Sequence, residues 1–150
     1  MSRFLFLIFI LSIVGCEATK NEVSFKDSLL DVWKSSCQSV SDGSYFKDVL
    51  SFNENYIVSV EMYSDSGCST QTGGGVSTEE YSYSIGGVLT SADGVEVHEF
   101  DTLREFGDHF TRETILNIIY IEGDKLYLGI PNNDNTRPSN IDFENVFYRS

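Results

Sequence analysis

The chain has 150 residues, of which 23 are acidic and 10 are basic, so its formal net charge is −13 at pH 7. This balance excludes nucleic-acid binding through a basic patch, and it also excludes electrostatic adhesion to anionic lipid. Without residues 1–15, the rest of the chain carries a formal charge of −14, because only Arg3 is lost, and its length suits one compact domain. The acidic charge has two interpretations: it provides solubility, or it forms a surface for a cationic partner.

The first 15 residues have the order of a secretory signal peptide. A short start that contains Arg3 is followed by an apolar run from Phe4 to Val14 and by the small residue Gly15. As a helix, this run would be about 16 Å long, too short for a hydrocarbon core of ~30 Å. We therefore expect cleavage after residue 15 rather than a membrane-spanning helix.

Residues 13–16, Ile-Val-Gly-Cys, resemble the lipobox of bacterial lipoproteins. The resemblance implies that Cys16 receives diacylglycerol and becomes the new N-terminus, so acyl chains would hold the protein at a membrane without spanning it. A plain secretory signal with an incidental cysteine is the alternative. Because Glu17 rather than aspartate follows, the resemblance implies the bacterial envelope, at the outer membrane and facing the periplasm. Residues 16–27 are mostly polar and are interpreted as a tether to a domain over residues 28–150.

Two cysteines, Cys37 and Cys68, remain when Cys16 is assigned to lipid. In an exported protein, two such cysteines most simply form a disulfide. Neither stands in a CxxC motif or beside a histidine, so redox catalysis and zinc binding are not indicated. In the chain-entropy model, closing a loop of about 31 residues stabilises the fold by roughly 3–4 kcal/mol.

Beyond a short helical turn at residues 28–31, the pattern is β throughout. The clearest alternation lies in Tyr56–Tyr63, where every second residue is apolar, and turn residues recur between such segments. We expect a turn at Gly86-Gly87, a short segment over residues 88–90, and a polar connection over residues 104–113. The predicted strands are 32–40, 45–52, 56–63, 80–85, 95–103, 114–121, 125–130 and 141–149.

This pattern predicts an all-β fold, an eight-stranded antiparallel up-and-down barrel. Closure of such a barrel removes the sheet edges, and eight strands enclose either packed side chains or one small ligand. Trp33 begins the first predicted strand and Arg149 ends the last one. Because these strands are neighbours in a closed barrel, the guanidinium could stack on the indole and close one end. The alternative is a core tryptophan with a solvated terminal arginine.

Trp33 and Arg149 resemble a feature of the calycin group, to which the lipocalins belong. In that group, a tryptophan on the first strand is covered by an arginine from the end of the barrel. The chain departs from the lipocalin pattern at Asp31, where glycine is favoured, and it has no long helix after the predicted barrel. The resemblance implies a lipocalin-like barrel over residues 29–150.

A second resemblance is to small, largely uncharacterised bacterial lipoproteins with lipocalin-like domains. The residues that carry it are Trp33–Cys37, Tyr63–Cys68, Ile119–Gly129 and Arg137-Pro138-Ser139. It spans most of the chain after the signal peptide. The resemblance implies the Cys37–Cys68 disulfide and the β fold, and it implies no particular chemistry.

Motifs for catalysis or metal binding are weak. His98 and Glu99 are neighbours on a predicted strand, so their side chains should point to opposite faces. His109 and Glu113 are four residues apart, with no third ligand in view. The glycines at 73–75 lack the Lys-Ser/Thr that follows in a phosphate-binding loop. We therefore expect no catalytic residue, no metal, no cofactor and no enzymatic activity.

The leading hypothesis from the sequence is non-catalytic binding of a small apolar or amphipathic ligand inside the barrel of a membrane-anchored monomer. The alternative is a module that binds or inhibits a cationic envelope protein such as a lysozyme. That alternative rests on the acidic charge and on polar loops over residues 64–76 and 131–140. The side chains expected to line a ligand pocket, unless they only fill the core, are Tyr56, Tyr81, Tyr83, Tyr120 and Tyr127.

Overall fold

The structure is a computed structural model, and it describes residues 25–73, 77–106 and 111–150. The signal peptide, Cys16, most of the predicted tether and His109 lie outside the described residues. Within them, no helix has the length and apolar character needed to cross a membrane.

In the described part of the chain, nine β-strands follow a short helix at residues 25–29. They are β1 (Asp31–Ser35), β2 (Gln38–Ser39), β3 (Tyr45–Phe52), β4 (Tyr56–Tyr63), β5 (Thr78–Thr90), β6 (Glu96–Phe106), β7 (Thr111–Glu122), β8 (Lys125–Leu128) and β9 (Phe147–Arg149).

The nine strands form one closed antiparallel sheet. Strands that follow each other in the chain pair with each other from β3 to β9, and β1 pairs with both β3 and β9, which closes the barrel. Because β1 and β2 both pair with β3, they are two segments at one strand position. The eight-stranded antiparallel barrel that the sequence predicts is therefore confirmed, and it is compatible with a lipocalin-like fold.

Apolar side chains from every side of the barrel fill its interior. The helix contributes Leu29, which is fully buried, and the strands contribute large side chains at alternate positions. Full burial of a side chain of this kind stabilises a fold by about 1.5–3 kcal/mol. The buried interior cluster comprises Leu29, Trp33, Leu50, Phe52, Tyr56, Tyr81, Phe100, Ile119 and Leu126.

The segment over residues 129–146, here called the strap, covers the outer face of β6, β7 and β8. Its Ile141 packs in a second buried cluster with Ile118, whose neighbour Ile119 faces the interior. Arg137 fixes the strap to β6 through two hydrogen bonds to the Asp101 carboxylate, of 2.6 and 3.1 Å. Charge-assisted pairs of this two-pronged kind are stronger than neutral hydrogen bonds.

The prediction of a last strand over residues 141–149 is wrong for most of its length, because only Phe147–Arg149 is a strand. Ile141 makes an isolated bridge to Gly129 and then packs on the outer face. The Asp142 carboxylate accepts the backbone N–H groups of Glu144 and Asn145, which bends the chain. The apolar residues of this segment therefore serve the strap rather than a ladder.

The predicted turn at Gly86-Gly87 is instead a bulge inside β5, where the pairing with β6 shifts between Ile85 and Val88. The Glu99 carboxylate receives the Gly87 N–H at 3.2 Å, and its Oε2 atom would lie 2.6 Å from a Cβ atom at Gly86. The glycine pair thus makes room for a side chain from the next strand.

The polar connection predicted over residues 104–113 is also mostly strand. β6 continues to Phe106 and β7 starts at Thr111. The pairing places Arg104 opposite Glu113. Opposite charges at such positions favour pairing, so polar residues here extend the ladder rather than end it.

The helix at residues 25–29 corrects the predicted tether, which extends to residue 27, and the helical turn predicted over residues 28–31. The ordered domain already includes Phe25, whose ring stacks on His98 with centroids 3.8 Å apart. A ring contact with the barrel therefore places Phe25 in the domain, three residues before the predicted domain boundary.

Replacement of Gly129 by alanine is expected to lower the free energy of unfolding by about 1–3 kcal/mol. A Cβ atom at this position would lie 2.7 Å from Cγ1 of Ile118 and 2.7 Å from Cβ of Pro138, so β7 and the strap would have to separate. Urea unfolding measures the effect. Gly73→Ala is the matched control, since a Cβ atom there meets nothing within 4 Å. Equal stability of both variants would contradict the close approach.

Candidate functional site

One end of the barrel is closed by Arg149. Its guanidinium lies over the indole of Trp33, with the Cζ atom of Arg149 4.3 Å from the ring centroid. It also donates to the carbonyl of Ser28 at 2.8 Å and to the carboxylate of Asp31 at 3.0 Å. Trp33 in turn donates its ring N–H to the carbonyl of Leu29 at 3.0 Å. The predicted juxtaposition of Trp33 and Arg149 is thus present. Hydrogen bonds from both side chains link the helix to the start of β1 and to the end of β9.

Asp31 occupies the position where lipocalins favour glycine, and its carboxylate is part of this closure. One oxygen accepts the Val32 N–H at 2.8 Å and the other accepts from Arg149. The Val32 hydrogen bond, followed by the Arg149 hydrogen bond, lowers the pKa of Asp31 below its usual value. The aspartate is therefore an ionised partner of the closing arginine.

Three of the predicted ligand-lining tyrosines, Tyr56, Tyr81 and Tyr83, face the interior, where they pack with Phe52 and Phe100. The ring centroid of Tyr56 lies 4.8 Å from that of Phe52 and 5.3 Å from that of Phe100. Burial raises the pKa of all three phenols, so their hydroxyl groups are neutral near pH 7. These rings fill the middle of the barrel rather than surround a hollow.

The other two, Tyr120 and Tyr127, lie outside the barrel interior: Tyr127 is buried in the outer cluster under the strap, and Tyr120 packs against that cluster and also lines the cleft described below. Their rings stack on each other at 5.8 Å, and Tyr127 also contacts Phe143 at 5.3 Å. Alternation places successive side chains of β7 on opposite faces of the sheet. Because Ile119 and Ile121 face the interior, Tyr120 between them faces outwards.

An open cleft of about 430 Å³ lies where the N-terminal helix meets the ends of β5, β6 and β7. It occupies the same end of the barrel as the Trp33–Arg149 closure, since Ser28 contributes to both. Its lining residues are Phe25, Ser28, Val88, Glu96, His98, Tyr120 and Ile121.

The cleft combines an apolar wall with a polar rim. Val88 is 51% exposed, although it is apolar, and it pairs across the strands with His98, on which the ring of Phe25 stacks. Glu96 adds an exposed carboxylate. Such a site can hold a small molecule that has an apolar part and a polar group. His98 faces this cleft, whereas Glu99 faces Arg137 at 3.3 Å on the outside, as the predicted alternation requires.

Sequence reasoning did not find the cleft. Phe25 was a detectable signal, because it is the one aromatic residue between the lipobox and Trp33. The exposed position of Val88 depends on the bulge before it, which reads as a turn in the sequence. The cleft forms only where the helix packs against the ends of β5, β6 and β7, and no local sequence pattern predicts this packing.

The predicted disulfide between Cys37 and Cys68 is present, and it lies at the end of the barrel opposite the cleft. It joins the junction of β1 and β2 to the loop after β4. The Asp65 carboxylate organises this loop, because it accepts the backbone N–H groups of Gly67, Ser69 and Thr70. The hydrogen bond from Thr70, foremost among these, lowers the pKa of Asp65 to about 2.

Charged side chains also face the interior near the disulfide end. Glu79 accepts hydrogen bonds from Arg104 and from the hydroxyl of Tyr81. This group is a satisfied ion pair rather than a metal centre. In the part of the chain that the structure describes, no three His, Cys, Asp or Glu side chains converge as a metal ion would require.

The fold and these sites define a closed β-barrel with a packed aromatic interior and an open cleft at its helical end. Comparison with protein-family models, with curated proteins and with solved structures finds no significant match to this chain.

Proposed function

We propose that this protein is a lipid-anchored bacterial envelope protein that binds a small amphipathic molecule, without catalysis and as a monomer. The observation that carries the proposal is the cleft at the helical end, with apolar Val88 and Ile121 beside the Glu96 carboxylate. The proposed binding site is thus the end of the barrel rather than its interior. The interior is filled, because the rings of Phe52, Tyr56 and Phe100 contact one another there.

The proposed anchor is consistent with the position of the cleft. Cys16 precedes Phe25 by nine residues, which span at most about 30 Å when fully extended. A lipid on Cys16 would therefore hold the helical end of the barrel close to a bilayer, where amphipathic molecules are concentrated. Intact-mass measurement of protein purified from its own membrane tests the anchor separately, because diacylglycerol and a further acyl chain add a defined mass.

The cleft is tested with N-phenyl-1-naphthylamine, a neutral fluorescent amphiphile. We expect saturable binding to the purified protein, and Val88→Trp should weaken it at least tenfold, because the indole would fill the cleft. Ile115→Trp is the matched control: Ile115 is an apolar residue on β7 that is 40% exposed and does not line the cleft, which β7 reaches only at Tyr120 and Ile121. Circular dichroism checks that both variants fold. Absence of saturable binding, or equal binding by both variants, would refute the proposal.

A further inference from the structure

We propose that the free edge of β5, from Ser82 to Thr90, binds an extended segment of a basic protein partner as an added β-strand. β4 pairs with β5 only from Thr78 to Tyr81, whereas β6 accompanies β5 as far as Thr90. Among the described residues, no other strand lies along Ser82–Thr90 on the side away from β6. Backbone N–H and C=O groups on such an edge form a template for another strand.

The composition of this edge favours pairing. Tyr81–Ala92 contains no charged residue, although the chain as a whole has 33. Ser82 and Ser84 are exposed and small, and they alternate with tyrosine and isoleucine side chains that turn towards the interior. A bulge between Ile85 and Val88 interrupts the edge and leaves Ser82–Ile85 as its regular part.

A second edge in the same sheet provides a contrast. β7 pairs with β8 only from Ile119 onwards, so residues 112–117 also extend beyond a neighbour. That edge carries Arg112 and Glu113. Charged residues on edge strands oppose pairing with other chains, and this protection is absent from Ser82–Thr90.

The negative charge of the molecule favours a basic partner. Glu80 precedes the free edge, Glu96 pairs opposite Thr90 at its end, and both are exposed. Lys26 approaches β5 from the barrel side, with its ammonium 5.5 Å from the ring centroid of Tyr83. A second copy of this chain would bring the same carboxylates and a net charge of −13, so it would be repelled. A basic segment complements both the ends of the edge and the field of the whole protein.

The test uses a synthetic peptide, acetyl-Lys-Val-Thr-Val-Lys-Val-Thr-Lys-amide, with the purified full-length protein. Amide hydrogen exchange should slow within Ser82–Thr90 when the peptide is added. The same peptide with every backbone nitrogen methylated retains its charge but loses its donors along both edges, so its affinity should fall at least tenfold. Equal binding of both peptides, or protection centred on residues 112–117, would overturn the proposal.

Two variants complete the test. Ser84→Lys places a positive charge on the edge and should weaken peptide binding at least fivefold, whereas Thr114→Lys, at an exposed position on β7, should leave it unchanged. Neither residue lines the cleft, so both variants should bind N-phenyl-1-naphthylamine normally, which separates this proposal from the proposed function. Concentration-dependent dimers with the same protection in the absence of peptide would also refute the proposal, because the occupant would then be a second copy.

Discussion

Arg149→Leu is expected to lower the free energy of unfolding by about 3 kcal/mol. The variant loses a charge-assisted hydrogen bond to Asp31, a second one to the Ser28 carbonyl, and the cation–π contact with Trp33. It also leaves the Asp31 carboxylate without its cation. Urea unfolding followed by the fluorescence of Trp33, the single tryptophan of the chain, measures the change.

Arg149→Lys is the matched control, because it keeps the charge but lacks the planar fork that reaches two acceptors at once. We expect an intermediate loss of stability. The effect should also depend on pH. The pKa of Asp31 is lower in the folded protein, so its contribution is present above about pH 4 and is lost as the pH falls through the folded value. Arg149→Leu should have a shallower loss of stability in acid, and an unchanged acid slope would contradict the ion pair.

Removal of the disulfide is expected to cost roughly 3–4 kcal/mol of folding free energy. Cys37 and Cys68 are 31 residues apart, and the crosslink restricts the unfolded chain by an amount that grows with the length of this loop. The double variant Cys37→Ser/Cys68→Ser should therefore unfold at a lower urea concentration than the oxidised protein.

The reduced wild-type protein should unfold at nearly the same urea concentration as this double variant, since both lack the same crosslink. Dithiothreitol should not change the unfolding of the double variant itself, which controls for other effects of the reductant. A wild-type unfolding midpoint that is insensitive to reduction would contradict the predicted contribution of the crosslink.

The sequence predicts those parts of the fold that depend on local pattern or on simple pairing rules. Alternation in Tyr56–Tyr63 identified a strand within its observed bounds, and turn residues separated most of the others. The disulfide was predicted from expected export and from the number of cysteines, and the Trp33–Arg149 contact was predicted from closure of the barrel.

The errors arise where a tertiary neighbour decides the outcome. Gly86-Gly87 has the composition of a turn, but the Glu99 side chain from β6 makes it a bulge. Tyr120 and Tyr127 satisfy the alternation rule for a barrel lining, yet both pack on the outer face, where Tyr127 is buried under the strap and Tyr120 is partly buried. The cleft needs Phe25 and Val88 together, and these residues are far apart in the chain. Local patterns do not contain such information.

The closure of the barrel also constrains the order of folding. Arg149 contacts Asp31 and Ser28 across 118 and 121 residues of chain, so the helical end cannot form until nearly all of the strands have been made. Contacts between such distant residues form slowly, because a long loop must close before they contribute any stability. A chain that is still being synthesised lacks Arg149, so the contacts that close this end of the barrel form only at a late stage.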